Sequence, residues 1–338
     1  MINRIQTVQS RHAYAAAKRR IRRNRSLVLV LLVCAAIGYL DRTVNESSLY
    51  LPDSDAVIRV YNTETAQLME LNLEEYVAGV VAAEMPASFA PDALKAQAVA
   101  ARTFAVNRMQ HPNSRVTAMH PQAQITSSPE TCQAWIDEET QRLRWGSAYT
   151  VWHNKIVQAV TETAGEVLYY DGTLIEPVYH ASCGGGRTED AEQVWGVAKP
   201  YLTSVECNHP ADKHSGETIV FTLQEFADKL QLQGVVPAGV MHGENRYLNL
   251  VEKTKSNRVK EVQIGDSIVR GGELRSALGL KSTLMSWNIA DDHIIFTTSG
   301  YGHGAGMCQH GADYYAGLGY DYRQILQHYY PGTTLGNL

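Results

Sequence analysis

One glutamate stands where an apolar residue belongs. Between Leu73 and Glu84, Tyr76, Val77, Val80 and Val81 recur at helical spacing, and the same stripe runs on to Glu84. A carboxylate on a core-facing stripe is costly unless it is protonated or paired. Desolvation raises its pKa, and the negative end of the helix dipole raises it further. A carboxylic acid kept neutral near physiological pH is what general-acid catalysis needs. The bland alternative pairs Glu84 with an arginine such as Arg102.

Two glycine-rich segments carry the other candidate groups. Tyr179-His180-Ala-Ser182-Cys183-Gly184-Gly185-Gly186 joins ring, hydroxyl and thiol groups to glycines that let a backbone approach a ligand closely. A cysteine–histidine nucleophile is available there by residue type, but no orienting third group is identifiable. A tight turn around a buried thiol is the structural alternative. Gly300 to Gly311 is no phosphate loop, since Gly-Lys-Ser/Thr is absent. Its His303, Cys308 and His310 are metal-ligand types whose spacing matches no closed zinc site, so neither metal nor cofactor is expected. Lys95 and Arg102 lie seven apart on one helical face, where solvated charges are the default.

The elements that must position these groups are mixed. Short strands are predicted at Val57–Tyr61 and Leu68–Leu71. A helix over Leu73–Glu84 starts at the Asn72 cap and stops at Met85-Pro86. A second runs from Pro91 to about Met109. His111 to Glu139 reads as loop, and strands are expected at Tyr149–Val151, Ile156–Val160, Leu168–Tyr170 and Glu176–His180. Helices are expected at Leu223–Leu230, Glu273–Leu278 and Tyr322–Tyr329. Without a βαβ rhythm the class is α+β, with 217–290 as a possible inserted docking subdomain within a catalytic body of 56–216 and 291–338.

Charge is split along the chain. Residues 1–40 hold eight Lys/Arg and no acid, leaving 22 basic and 35 acidic residues, or −13, for the remainder. An uncharged run from Ser26 to Leu40 follows the basic tail of 1–25. It is short for a span, which needs about 17–25 residues, but no convincing cleavage site follows it. A retained single-pass anchor is therefore expected, with the N-terminus cytoplasmic, a polar stalk over 41–55, and the body outside the membrane. Nothing beside the basic run supports nucleic-acid binding. Cys132, Cys183, Cys207 and Cys308 allow three complete pairings, among which sequence does not choose. An acidic body does not draw an anionic polymer from a distance, so recognition of one would have to be local.

Leu73 to Pro86, Ala93 to Thr103, Tyr179 to Thr188 and Gly302 to Gly311 together resemble the stage II sporulation protein D and amidase-enhancer family, over about residues 56–335. The resemblance implies a lytic transglycosylase acting on peptide-stripped glycan during engulfment, with Glu84 as its single acid. It also implies a cleft lined by Tyr179, His180, Ser182, Cys183, Gly184, Thr188, His303 and Gln309. Arg102, with Lys95 beside it, would meet Glu84 or a substrate carboxylate. Implied partners are a wall amidase and a polytopic membrane protein of the engulfment machinery. Some relatives hold zinc with two His and two Cys in the loop matching His120–Cys132; Thr126 and Thr131 take two of those places here, so no structural zinc is expected there. Two alternatives remain: a non-catalytic activator of an amidase, and a thiol or zinc hydrolase sensitive to Cys183→Ser or to chelators.

Overall fold

The computed structural model describes residue 51 and residues 56–232, 248–290 and 292–338. The expected basic tail and anchor, and nearly all of the stalk, lie outside the described residues. Within them no helix is long and apolar enough to cross a membrane. Residues 51–338 form one compact unit of mixed helices and short strands, an α+β fold.

An antiparallel hairpin, Val57–Asn62 with Gln67–Asn72, opens the fold and pairs in parallel with Ile125–Thr126. The chain passes straight into helix α1, Leu73–Glu84, whose Asn72 cap accepts from the Glu74 amide at 2.9 Å. This helix is apolar nearly all round and is buried accordingly. Helix α2, Pro91–Gln110, is the hub. It packs on α1, on the helix Tyr149–Thr161, on the strand Glu166–Tyr170 and on both C-terminal helices, Gln309–Gly317 and Tyr322–Tyr329. Its alanines (Ala93, Ala96, Ala98, Ala100, Ala101, Ala105) are buried, and their small side chains let several neighbours approach one axis.

Two expectations fail between 138 and 161. Tyr149–Val151 and Ile156–Val160 are not strands but parts of one helix, whose Ile156, Val157, Ala159 and Val160 face inward. That spacing is helical, and packing against α2 overrides the strand preference of the β-branched residues. Glu138–Trp145 is also a helix, started by Asp137, whose carboxylate accepts from the Thr140 amide at 2.7 Å. Its mostly exposed surface leaves no apolar stripe to read.

Residues from Phe221 to Phe296 enclose a second apolar cluster. It is built from the sheet 217–222/293–298/285–290, the sheet 248–253/259–264/267–270, and the helices Leu223–Leu232 and Gly271–Leu278. His293–Thr298 is the central strand of the first sheet, so this region runs past residue 290.

What joins the two glycine-rich motifs is a two-residue parallel pairing, Tyr179–His180 with Met307–Cys308. Reciprocal hydrogen bonds between Ser182 and Tyr301, at 3.1 and 2.8 Å, extend the contact. Gly306 allows it: at φ +68°, a Cβ there would lie 2.0 Å from the Val178 carbonyl.

Candidate active site

Glu84 ends α1 because Met85, extended at ψ 142°, turns the chain out of the helix ahead of Pro86. Its side chain is half-buried in a groove of about 320 Å³ lined by Phe89 and Trp145 and by Ala181, Tyr301 and Gln309 of the glycine-rich loops. A second cavity of about 160 Å³, lined by Gln133, Tyr179 and His303, also reaches Glu84. The smaller cavity shares Phe104, Pro129, Cys132, Val178 and His303 with a third of about 550 Å³. Glu84 thus lines two cavities, and the smaller of them adjoins the third.

Burial lifts the Glu84 carboxyl from its ordinary 4.5 to about 7. Two donors hold it in place and pull the other way: the Ala134 amide at 2.8 Å and the side chain of Gln309. Gln309 in turn donates to Gln97 of α2 at 3.2 Å. The Ala134 loop is seated by Gly79 of α1, where a Cβ would fall 2.2 Å from Trp135 Nε1 and 2.8 Å from the Ile136 carbonyl. Beside the carboxyl, Tyr76 donates to Gln133 at 3.1 Å and Gln133 to Tyr179 at 2.8 Å. Burial, then the charge of Glu84, keeps the Tyr179 phenol far above its usual range and so neutral. Burial likewise pushes His303 down to about 3, so it stands as a neutral imidazole. Among the described residues lining the two cavities that reach Glu84, no other carboxylate occurs.

Of the other residues singled out in the sequence, only part gathers here. Tyr179, His303 and Gln309 do. His180 is buried behind them, its Nδ1 on the Ala305 carbonyl at 3.0 Å. Ser182 is turned to Asp212 at 2.6 Å, and Gly184, at φ +83°, packs on Ser299 and Leu284. Thr188 is wholly buried and ties down Val205, whose amide donates to its hydroxyl at 3.0 Å. Cys183 faces inward, toward other sulfurs. Arg102 is fully buried, clasping Glu74 through two hydrogen bonds of 2.8 and 2.6 Å rather than meeting Glu84. Lys95 is paired with Glu162 at 2.5 Å. In the His120–Cys132 loop, His120 stacks on Tyr61 with centroids 3.6 Å apart, and the Thr126 and Thr131 hydroxyls bond each other at 2.5 Å.

Sequence reasoning missed Phe89, Arg144, Trp145, Lys213 and His214 in the groove wall. Arg144 and Trp145 end the helix Glu138–Trp145, most of which lies in a stretch where the sequence suggests no element. Lys213 and His214 lie in a polar turn with no local signature.

These features define a class: a mixed α+β protein in which two glycine-rich loops and the end of a buried helix surround one protonatable carboxyl. A family model described as "Stage II sporulation protein" matches residues 61–170. Stage II sporulation protein D of Bacillus subtilis is 39% identical over 290 residues, covering 84% of this chain and 80% of that protein. Its counterpart from Bacillus amyloliquefaciens is 37% identical over 289 residues, with the same coverage. The amidase enhancer of Bacillus subtilis is 28% identical over 308 residues, covering 76% of this chain and 40% of that protein. The chain belongs to the stage II sporulation protein D family.

Proposed function

We propose that this chain is a membrane-anchored lytic transglycosylase of sporulation, cleaving peptidoglycan glycan strands already stripped of their stem peptides during engulfment. The observation that carries this reading is a carboxyl raised to about 7 with no second carboxylate among the described residues lining the cavities that reach it. Hydrolysis by the usual routes employs two carboxyl groups. Intramolecular ring closure needs one. The protonated Glu84 gives its proton to the glycosidic oxygen, and the C1–O bond breaks. The resulting carboxylate then removes the proton of the muramic acid C6 hydroxyl while O6 bonds to C1, which forms the 1,6-anhydro ring and restores the acid.

Two cavities that share Glu84 suit a polymer cut within its length. A stripped muramic acid presents a free lactyl carboxylate. With Arg102 occupied in the core, Arg144 and Lys213 are the cations on the groove wall that suit it. In this reading the N-terminus is cytoplasmic and the body extracytoplasmic. A cell-wall amidase supplies the stripped strands, and a polytopic membrane protein of the engulfment machinery is the second partner.

The likeness to an amidase enhancer favours a second reading, in which the chain binds wall and stimulates an amidase without cutting glycan. Mass analysis of peptide-stripped glycan incubated with the purified full chain separates them. Anhydro-muramic ends are the expected product. Reducing ends would replace transglycosylation by hydrolysis, and intact strands would leave only the activator.

A further inference from the structure

The geometry points to a structural metal site of the zinc type, formed by Cys183, Cys207, Cys308 and His209, that pins together the loops behind the groove. One ligand atom from each of these four buried residues lies within 4.8 Å of all the others. His209 Nε2 is 3.4 Å from the Cys183 sulfur and 3.6 Å from that of Cys308. A tetrahedral zinc with bonds of about 2.3 Å to sulfur and 2.0–2.1 Å to nitrogen sets a sulfur–nitrogen edge of about 3.5 Å. The protein already holds that spacing.

The surroundings are those of a ligand set rather than of loose thiols. His209 Nδ1 meets the Pro210 carbonyl at 2.8 Å; that bond fixes the tautomer and turns the lone pair of Nε2 toward the sulfurs. The Cys308 sulfur accepts from the Cys183 amide at 3.2 Å and the Gly311 amide at 3.3 Å. The Cys207 sulfur has the Tyr329 hydroxyl at 3.0 Å. Such contacts stabilise bound thiolates. Gly311 leaves room for this packing, since a Cβ there would fall 2.5 Å from the Cys207 sulfur. Three thiolates on a divalent ion carry a net charge of −1, and the fully buried Arg258, bonded to the Cys183 carbonyl at 2.9 Å, stands beside them. A disulfide would use two of the three sulfurs and leave the third thiol and the imidazole without a role.

The four ligands complete a closed set with no open position, so the metal is a clamp and not a Lewis acid. Cys183 comes from one glycine-rich loop and Cys308 from the other, while Cys207 and His209 anchor both to the strand that follows Val205. This site is separate from the His120–Cys132 loop.

The test is elemental analysis of the full-length chain, purified in detergent without a histidine tag. About one zinc per chain is expected, with an absorption-edge spectrum showing three sulfurs and one nitrogen. Cys207→Ser and His209→Ala should each lose most of the metal. The cobalt-substituted wild type should show tetrahedral thiolate bands, a readout that does not require the variants to fold. Metal-free protein in which the thiols of Cys183, Cys207 and Cys308 all titrate freely, or a mapped disulfide between any two of these cysteines, would overturn the site. Because none of these measurements reads glycan cleavage, the clamp and the transglycosylase stand or fall separately.

Discussion

Glu84→Gln is expected to lower turnover on peptide-stripped glycan by about 10²–10⁴-fold, the range for losing a general acid. The glutamine keeps the shape and can still accept from the Ala134 amide, but it has no proton to give. Its stability should move the other way. The folded carboxyl titrates near 7 against an ordinary 4.5, so the native state binds its proton more tightly than the unfolded chain does. The cost of ionising a buried Glu84 is therefore absent below about 4.5, grows as pH rises toward 7, and is constant above that. At pH 8 the glutamine variant should melt no lower than the wild type, and a few degrees higher if most of that cost is recovered. Loss of turnover with retained or increased stability separates a catalytic acid from a structural one. If turnover survives, the enzymatic reading fails, and stimulation of an amidase becomes the activity to measure.

Arg102→Ala is expected to act on the fold. The guanidinium is wholly enclosed, clasps Glu74 from two sides, and also donates to the carbonyls of Glu166 at 3.1 Å and Val160 at 3.3 Å. It thereby ties the start of α1 to the middle of α2, to the end of the helix Tyr149–Thr161 and to the first residue of the strand Glu166–Tyr170. Removing one partner leaves a buried Glu74 with, among the described residues, only the Gly165 amide at 3.3 Å, and costs about 3–5 kcal/mol. That lowers the melting temperature by about ten degrees for a domain of this size. Arg102→Lys should recover only part of the loss, because an ammonium cannot reproduce the two-pronged grip. Replacing both partners by Glu74→Leu and Arg102→Met should recover more, since no lone charge is then left inside. A folded, fully stable Arg102→Ala protein without activity would instead return Arg102 to the cleft.

That contrast shows what the sequence could and could not convey. Glu84 was legible because a single 3.6-residue stripe leads to it. Glu74 shares the face of Val77 and Ala78, so it too is a carboxylate among buried residues, and it competes for the same arginine. One dimension of sequence does not reveal which of two carboxylates an arginine on another helix will meet; the packing of α1 on α2 decides it. Tyr179 and Gln309 were placed by motif and are found beside Glu84. Thr188 and Ser182 belong to the same motif but are occupied in holding the loop together. That Cys183, Cys207 and Cys308 cluster was not legible, for a different reason. Their ligand order, Cys183, Cys207, His209, then Cys308 about a hundred residues later, has no short-range spacing to recognise, and only the pairing of Tyr179–His180 with Met307–Cys308 brings the ends together. The helix over Tyr149–Thr161 was hidden by its β-branched residues, and Trp145 and Arg144 of the groove wall were hidden with its neighbour.

The central claim is that Glu84 holds a proton near neutral pH where a glycosidic oxygen can take it. Carbon-13 NMR of the full chain, labelled at its glutamate carboxyls and assigned against Glu84→Gln, follows that proton directly. A resonance titrating with a midpoint near 7 is the expected result. A Glu84 midpoint at the ordinary 4–5 of an exposed glutamate would contradict it, for the carboxyl would then be ionised at the pH where the wall is cut.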